Sequence, residues 1–152
     1  MRITTWAEYG LIVSVHLARH GAVRPQPARE IAEQEGLPPD YVEQILLKLR
    51  RAGLVKSLRG AKGGYLLARA PERLTVRDVV EAAESRTFEV NCEAYPINAQ
   101  RCRSARGCTI RPLWRALQQR IDDFLESVSL ADLLGDEDAV DELLAASASA
   151  RR

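Results

Sequence analysis

A chain of 152 residues, 46% of them hydrophobic, is the size of one domain or of a small domain with an appendage, and it can build a core. Its formal charge of +1 argues for nothing by itself, and three cysteines without a secretory signal exclude a disulfide framework in favour of thiols or metal ligands. The early apolar run GLIVSVHLA is too short to span a bilayer and lacks the basic start and cleavage site of a secretory signal, so a cytoplasmic protein without a membrane partner is expected.

The first predicted helix covers 5–20. Tyr9, Ile12, Val13 and His16 form one stripe and Leu11, Val15 and Ala18 another, so the helix is buried on most sides, with Glu8 at the edge of its apolar surface. Gly21, Pro25 and Pro27 end it. A short helix, AREIAEQE, stops at Gly36, and a tight connection leads to a helix over 39–52. There Val42, Ile45, Leu46 and Leu49 supply the core stripe, while Asp40, Glu43, Gln44, Leu47, Lys48 and Arg51 face outward. Two short helices joined by a tight turn match the helix-turn-helix plan. The next stretch, LVKSLRGAKGGYLLA, reads as a β-hairpin with a glycine-rich, basic tip, and a hairpin in that position is the wing of a winged helix.

Thr75 and Asp78 form a capping-box pattern opening a helix that turns Val76, Val79, Val80 and Ala83 inward. A loop follows, and Pro112 then opens a long helix. Leu113, Leu117, Ile121, Phe124 and Val128 form a narrow seam suited to a partner helix. Ser129 and Asp132 frame one more turn. The resulting plan is mostly α with a small β-hairpin wing: a winged helix-turn-helix over 1–70, a linking helix over 71–90, a cysteine loop over 91–111 and a dimerisation helix over 112–134. A flexible acidic tail over 135–152 completes it.

Charge is uneven along this plan. Residues 1–70 hold 11 Lys and Arg against 6 Asp and Glu, and the remainder hold 11 against 15, so the front half is suited to a polyanion. A helix-turn-helix places its second helix in a DNA major groove. Gln44 suits an adenine edge, Glu43 a cytosine amino group, and Lys48 or Arg51 guanine or phosphate. Arg59 and Lys62 at the wing tip suit phosphates or the minor groove. No acid–base constellation, phosphate loop or hydrolase motif points to an enzyme.

All three cysteines, Cys92, Cys102 and Cys108, fall in NCEAYPINAQRCRSARGCTIR, among Arg101, Arg103, Arg106 and Arg111. Arginines brought near thiols would favour the thiolate form and balance its charge. Thiolates favour zinc, copper(I) or iron–sulfur clusters. The C-x-x-C spacing of a zinc ribbon is absent, and the long gaps suit a centre wider than one ion. Metal-free redox thiols, or zinc, remain the alternative.

The segments MRITTWAEYGLIVSVHLA, YVEQILLKLRRAGLVKSLRGAKGGYLLAR and LTVRDVVEA, the cysteine loop and RPLWRALQQRIDDFLESVSLADLL occur in this order. Together, over residues 1–134, they resemble the winged-helix regulator family that includes IscR, NsrR and RirA. The resemblance implies a homodimeric transcription regulator on a palindromic double-stranded DNA operator, its affinity set by an iron–sulfur cluster that senses redox state, nitric oxide or iron supply. It places Asp40, Glu43 and Gln44, with Tyr41 beside them, among base-reading residues and Arg59 where the wing enters the groove. IscR-like members carry a histidine three residues after the last cysteine, where this chain has Arg111. NsrR-like members use an acid on the first helix, from the opposite protomer, and Glu8 matches that position. The implied ligand set is therefore Cys92, Cys102, Cys108 and Glu8, closer to the NsrR-like branch. Where a relative adds a histidine one turn beyond the acid, this chain has Ile12, and His16 and His20 lie further along. The nine-residue gap between Cys92 and Cys102 leaves both 2Fe–2S and 4Fe–4S clusters open.

Overall fold

The computed structural model describes residues 4–84 and 108–149. Helix α1 spans Thr5–His20 and buries Ala7, Gly10, Val13, Ser14, His16, Leu17 and Ala18, as expected of a helix apolar on most sides. Helix α2 is Ala28–Glu35, and α3 is Pro39–Arg51 with proline at its first position. Between them Gly36 takes the left-handed conformation, φ 65°, and the Leu37 N–H returns to the Ala32 carbonyl at 3.0 Å. Val42, Ile45, Leu46 and Leu49 of α3 are all fully buried, together with Ile31, Leu74 and Leu130. Each such side chain contributes about 1.5–3 kcal/mol relative to exposure.

Strands β1 (Val55–Leu58) and β2 (Gly64–Leu67) pair antiparallel, from Val55 opposite Leu67 to Leu58 opposite Gly64. The hairpin is anchored from outside. Gln26 and Tyr65 exchange two backbone hydrogen bonds of 2.8 Å, so the loop before α2 acts as a one-residue third strand. Gly64 permits this approach, because a Cβ there would lie 2.6 Å from the Gln26 carbonyl carbon.

After a single 3-10 turn, Pro71–Arg73, helix α4 covers Val76–Glu84. Its capping box is reciprocal: the Asp78 N–H donates to Thr75 Oγ1 at 3.1 Å and the Thr75 N–H to Asp78 Oδ2 at 3.0 Å. A second box follows helix α5 (Arg111–Glu126), where the Ser129 N–H donates to Asp132 Oδ2 at 2.8 Å and the Asp132 N–H to Ser129 Oγ at 3.2 Å. The two boxes are stitched side by side. The Val76 N–H donates to the Val128 carbonyl and the Leu130 N–H to the Leu74 carbonyl, both at 2.8 Å. The end of α5 is thereby fixed to the start of α4.

Two elements differ from the sequence plan. Val128, assigned to the partner seam, lies beyond the end of α5 and is buried against Ala7, Val76 and Val80 of its own chain, because the stitch to Val76 turns it inward. Within the expected linking helix, Val76, Val79, Val80 and Ala83 of α4 are buried as their spacing implies, and Val79 belongs to the main core. The acidic tail also departs from expectation. After the 3-10 turn Ala131–Leu134, residues Glu137–Ser149 form helix α6. Asp136 Oδ1 accepts the Ala139 N–H at 2.9 Å, and Leu144 packs on the cluster around Val128. Alanine, leucine and glutamate favour helix, and the cap and the packing of Leu144 add to that preference where acidity and the small polar end suggested a loose tail.

Candidate nucleic-acid interface

Burying Val42, Ile45, Leu46 and Leu49 turns the opposite face of α3 outward. Asp40, Glu43, Gln44 and Arg51 are exposed there. The wing tip is a second exposed group, with Arg59 and Lys62 flanking Gly60, whose φ is 111°. The tip closes through the Gly63 N–H on the Gly60 carbonyl at 2.9 Å, and a Cβ on Gly63 would meet the Leu58 carbonyl oxygen at 2.3 Å. Arg50 Nη1 donates to Ser57 Oγ at 3.3 Å, tying the end of α3 to β1. Helix face and wing thus form one body.

Among the described residues, Arg51, Lys56, Arg59 and Lys62 have no carboxylate partner. Arg24 and Arg29 differ: they are held by Glu30 and Glu33 at 2.5 and 2.7 Å, and the Glu33 carboxylate raises the Arg29 pKa. Arg19, Arg73 and Arg120 also lack a carboxylate partner among the described residues, but the wing and the end of α3 bring such cations together beside the outward face of α3, where a phosphate backbone would gain from them.

Two residues of the predicted DNA set sit differently. Tyr41 is 40% exposed, but its ring packs 5.1 Å from Trp6 and 5.8 Å from Tyr9 of α1, centroid to centroid. Lys48, expected to reach guanine or phosphate, turns toward its own chain. Its ammonium donates to the Ala83 carbonyl at 2.6 Å and lies 4.1 Å from the centre of the Trp6 ring. Position on the outward half of α3 did not settle the matter, because Lys48 sits on the flank where α1 and the last turn of α4 meet.

Of the predicted metal ligands, Cys92 and Cys102 lie outside the described residues. Cys108 is half-buried just before α5, and Glu8 is exposed on the first turn of α1. Among the described residues no group of three His, Cys, Asp or Glu side chains is arranged to hold a metal ion. His16 is fully buried and its Nδ1 lies 2.6 Å from Glu35 Oε1, so it links α1 to α2. The His20 ring lies against it, tilted by 47° with the ring centroids 4.6 Å apart. Trp6, Gln26 and Glu84 support the interface without any signal in the local sequence pattern. Glu84 Oε1 accepts from the Thr4 hydroxyl and from the Ala7 N–H at 3.3 Å, placing a carboxylate at the N-terminus of α1.

Residues 3–136 match the family model described as Rrf2, iron-dependent transcriptional regulator. The chain belongs to the Rrf2 family. It is 34% identical to the HTH-type transcriptional regulator IscR of Xenorhabdus nematophila over 93% of this chain and 84% of that protein. It is 33% identical to IscR of Erwinia tasmaniensis over 91% and 81% respectively. Among solved structures, T. potens IscR matches with a TM-score of 0.69 at 34% identity, over 88% of this chain and 86% of that one. CymR, the global cysteine regulator of B. subtilis, matches with a TM-score of 0.69 at 33% identity, over 88% and 96%. The winged helix with its antiparallel hairpin is therefore the Rrf2 fold, and this Rrf2 protein is a DNA-binding transcriptional regulator rather than an enzyme. No described helix is long and apolar enough to cross a membrane.

Proposed function

We propose that this Rrf2 protein is a cytoplasmic homodimer that binds a palindromic operator, with operator affinity governed by an iron–sulfur cluster on the cysteine segment. The observation that carries the DNA half is the joint exposure of the α3 face and the wing, with Arg51, Arg59 and Lys62 lacking carboxylate partners among the described residues. Asp40, Glu43 and Gln44 read bases, with Tyr41 beside them; Arg51, Arg59 and Lys62 hold phosphates or enter the minor groove. The observation behind the dimer is α5. No residue of that helix is buried within the chain, and Leu113, Trp114 and Phe124 are 61%, 38% and 44% exposed. Pairing two such helices covers this surface and sets the distance between recognition helices, which must be roughly 34–36 Å or a multiple.

The donor chemistry fits a cluster: three soft thiolates within 17 residues, a string of arginines to offset their charge, and Glu8 accessible on α1. Cys92, Cys102, Cys108 and Glu8 of the partner protomer would hold it as 2Fe–2S or 4Fe–4S. Such a group supplies a centre labile to oxidation, nitric oxide and iron supply. The chain's own part is to keep Glu8 on a helix capped by Glu84 and Cys108 next to α5. The second reading is a cluster-free repressor that senses through thiol oxidation or holds zinc; similarity to the oxidised form of Staphylococcus aureus CymR, at 30% identity, favours the oxidation arm.

Anaerobic purification with ample iron decides between them. The first reading expects brown protein containing iron and sulfide, a Mössbauer signature altered by Glu8→Ala, and unequal operator affinity for the loaded and stripped forms. Colourless protein free of iron and sulfide rejects it.

A further inference from the structure

The Lys48 ammonium is held by two elements that flank its own helix. It donates to the Ala83 carbonyl of α4 at 2.6 Å and lies over the Trp6 ring of α1 at 4.1 Å. The next residue of α4, Glu84, binds the Thr4 hydroxyl and the Ala7 N–H at the start of α1. Gly10 brings the same turn close, since a Cβ there would lie 3.2 Å from Ala83 Cβ. The last turn of α4 is therefore fastened both to the first turn of α1 and to the recognition helix. In the sequence this turn runs straight into the segment that carries Cys92 and Cys102.

We infer that Lys48 is a positioning residue that straps the recognition helix to the end of α4, so that a change begun in the cysteine segment reaches the base-reading face through the Lys48–Ala83 hydrogen bond and the Lys48–Trp6 contact. The inference rests on the reading that the cysteine segment senses. Lys48 stands one helical turn after Gln44, on the same row, and Tyr41 two turns before Lys48 touches the same Trp6 ring. A displacement of the last turn of α4 pulls on this strap and biases the position of α3. Because α3 is otherwise fully packed through Val42, Ile45, Leu46 and Leu49, it responds as a rigid rod and carries Gln44 and Glu43 with it. Trp6 cannot contact phosphate as a cation does, so its loss separates positioning from direct contact.

The test uses fluorescence anisotropy with a duplex selected by the full-length protein from a random library. Salt is varied, and wild type is compared with Lys48→Met and Trp6→Leu after circular dichroism confirms folding. Cluster-loaded and chelator-stripped forms are measured for each. Both variants are expected to lower operator affinity several-fold, to leave the slope of log affinity against log salt at its wild-type value, and to bring the loaded-to-stripped affinity ratio toward one. A Lys48→Met slope flatter by about 0.9 with the ratio retained makes Lys48 a phosphate contact and overturns the inference. An unaltered ratio in Trp6→Leu overturns it as well. If wild type itself binds equally in both forms, cluster sensing fails and the coupling falls with it, while the salt slopes still decide whether Lys48 positions α3.

Discussion

Replacing Gly64 by alanine tests how the wing is held. The added methyl would lie 2.6, 2.7 and 2.9 Å from the carbonyl carbon, carbonyl oxygen and nitrogen of Gln26, all backbone atoms that no rotamer change can move aside. Strand β2 must then withdraw from Gln26, and the two 2.8 Å hydrogen bonds between Gln26 and Tyr65 break. Gln26 is only 3% exposed, so its freed groups find little water. Two lost bonds at about 1 kcal/mol each, plus partial desolvation of what remains, give a destabilisation of about 2–4 kcal/mol. For a chain of this size that lowers the melting temperature by roughly 5–15 °C. The wing tip loses its bracing at the same time, so Arg59 and Lys62 meet the duplex less often and the salt dependence of DNA binding flattens. Thermal denaturation and salt-dependent anisotropy read both effects. A melting temperature within a degree of wild type, with the salt slope intact, would refute the role given to the Gln26–Tyr65 bridge.

Removing single contacts gives further expectations. Arg59→Ala weakens binding about equally across duplex sequences and lowers the salt slope by about 0.9, read by anisotropy from low to moderate salt. Gln44→Ala relaxes preference at one base position by about 1–3 kcal/mol and leaves the slope unchanged, as measured with a panel of single-base operator variants. Leu113→Glu combined with Phe124→Glu places two charges on the exposed α5 surface, and sedimentation should report a monomer whose winged helix still melts cooperatively. Asp136→Ala removes the α6 cap, costs about 1 kcal/mol, and should raise hydrogen exchange selectively in 137–149.

Much of the fold follows from local rules. The 3.6-residue period of Val42, Ile45, Leu46 and Leu49, the stop at Gly36, the glycine-rich hairpin tip and the Thr75–Asp78 box each act within a few residues, so the chain alone specifies α1 to α4 and the wing. The same holds for which face of α3 meets solvent. Direction within that face was beyond reach. Lys48 lies 35 residues from the carbonyl it binds and Thr4 lies 80 from Glu84, and no periodicity encodes contacts at such separations. Val128 continues the seam spacing of α5, yet its placement is decided by the backbone stitch to Val76, which diverts it into its own core. Helix α6 carries a cap signal at Asp136 and helix-favouring Ala, Leu and Glu, but the surface on which Leu144 packs lies outside local sequence. The sequence by itself determined the elements and the chemical identity of the surfaces they offer, because those depend on neighbours in the chain. Only the tertiary structure decided which cations remain available to DNA and which are used to hold the reading helix in place, because that depends on where distant backbone carbonyls and rings come to rest.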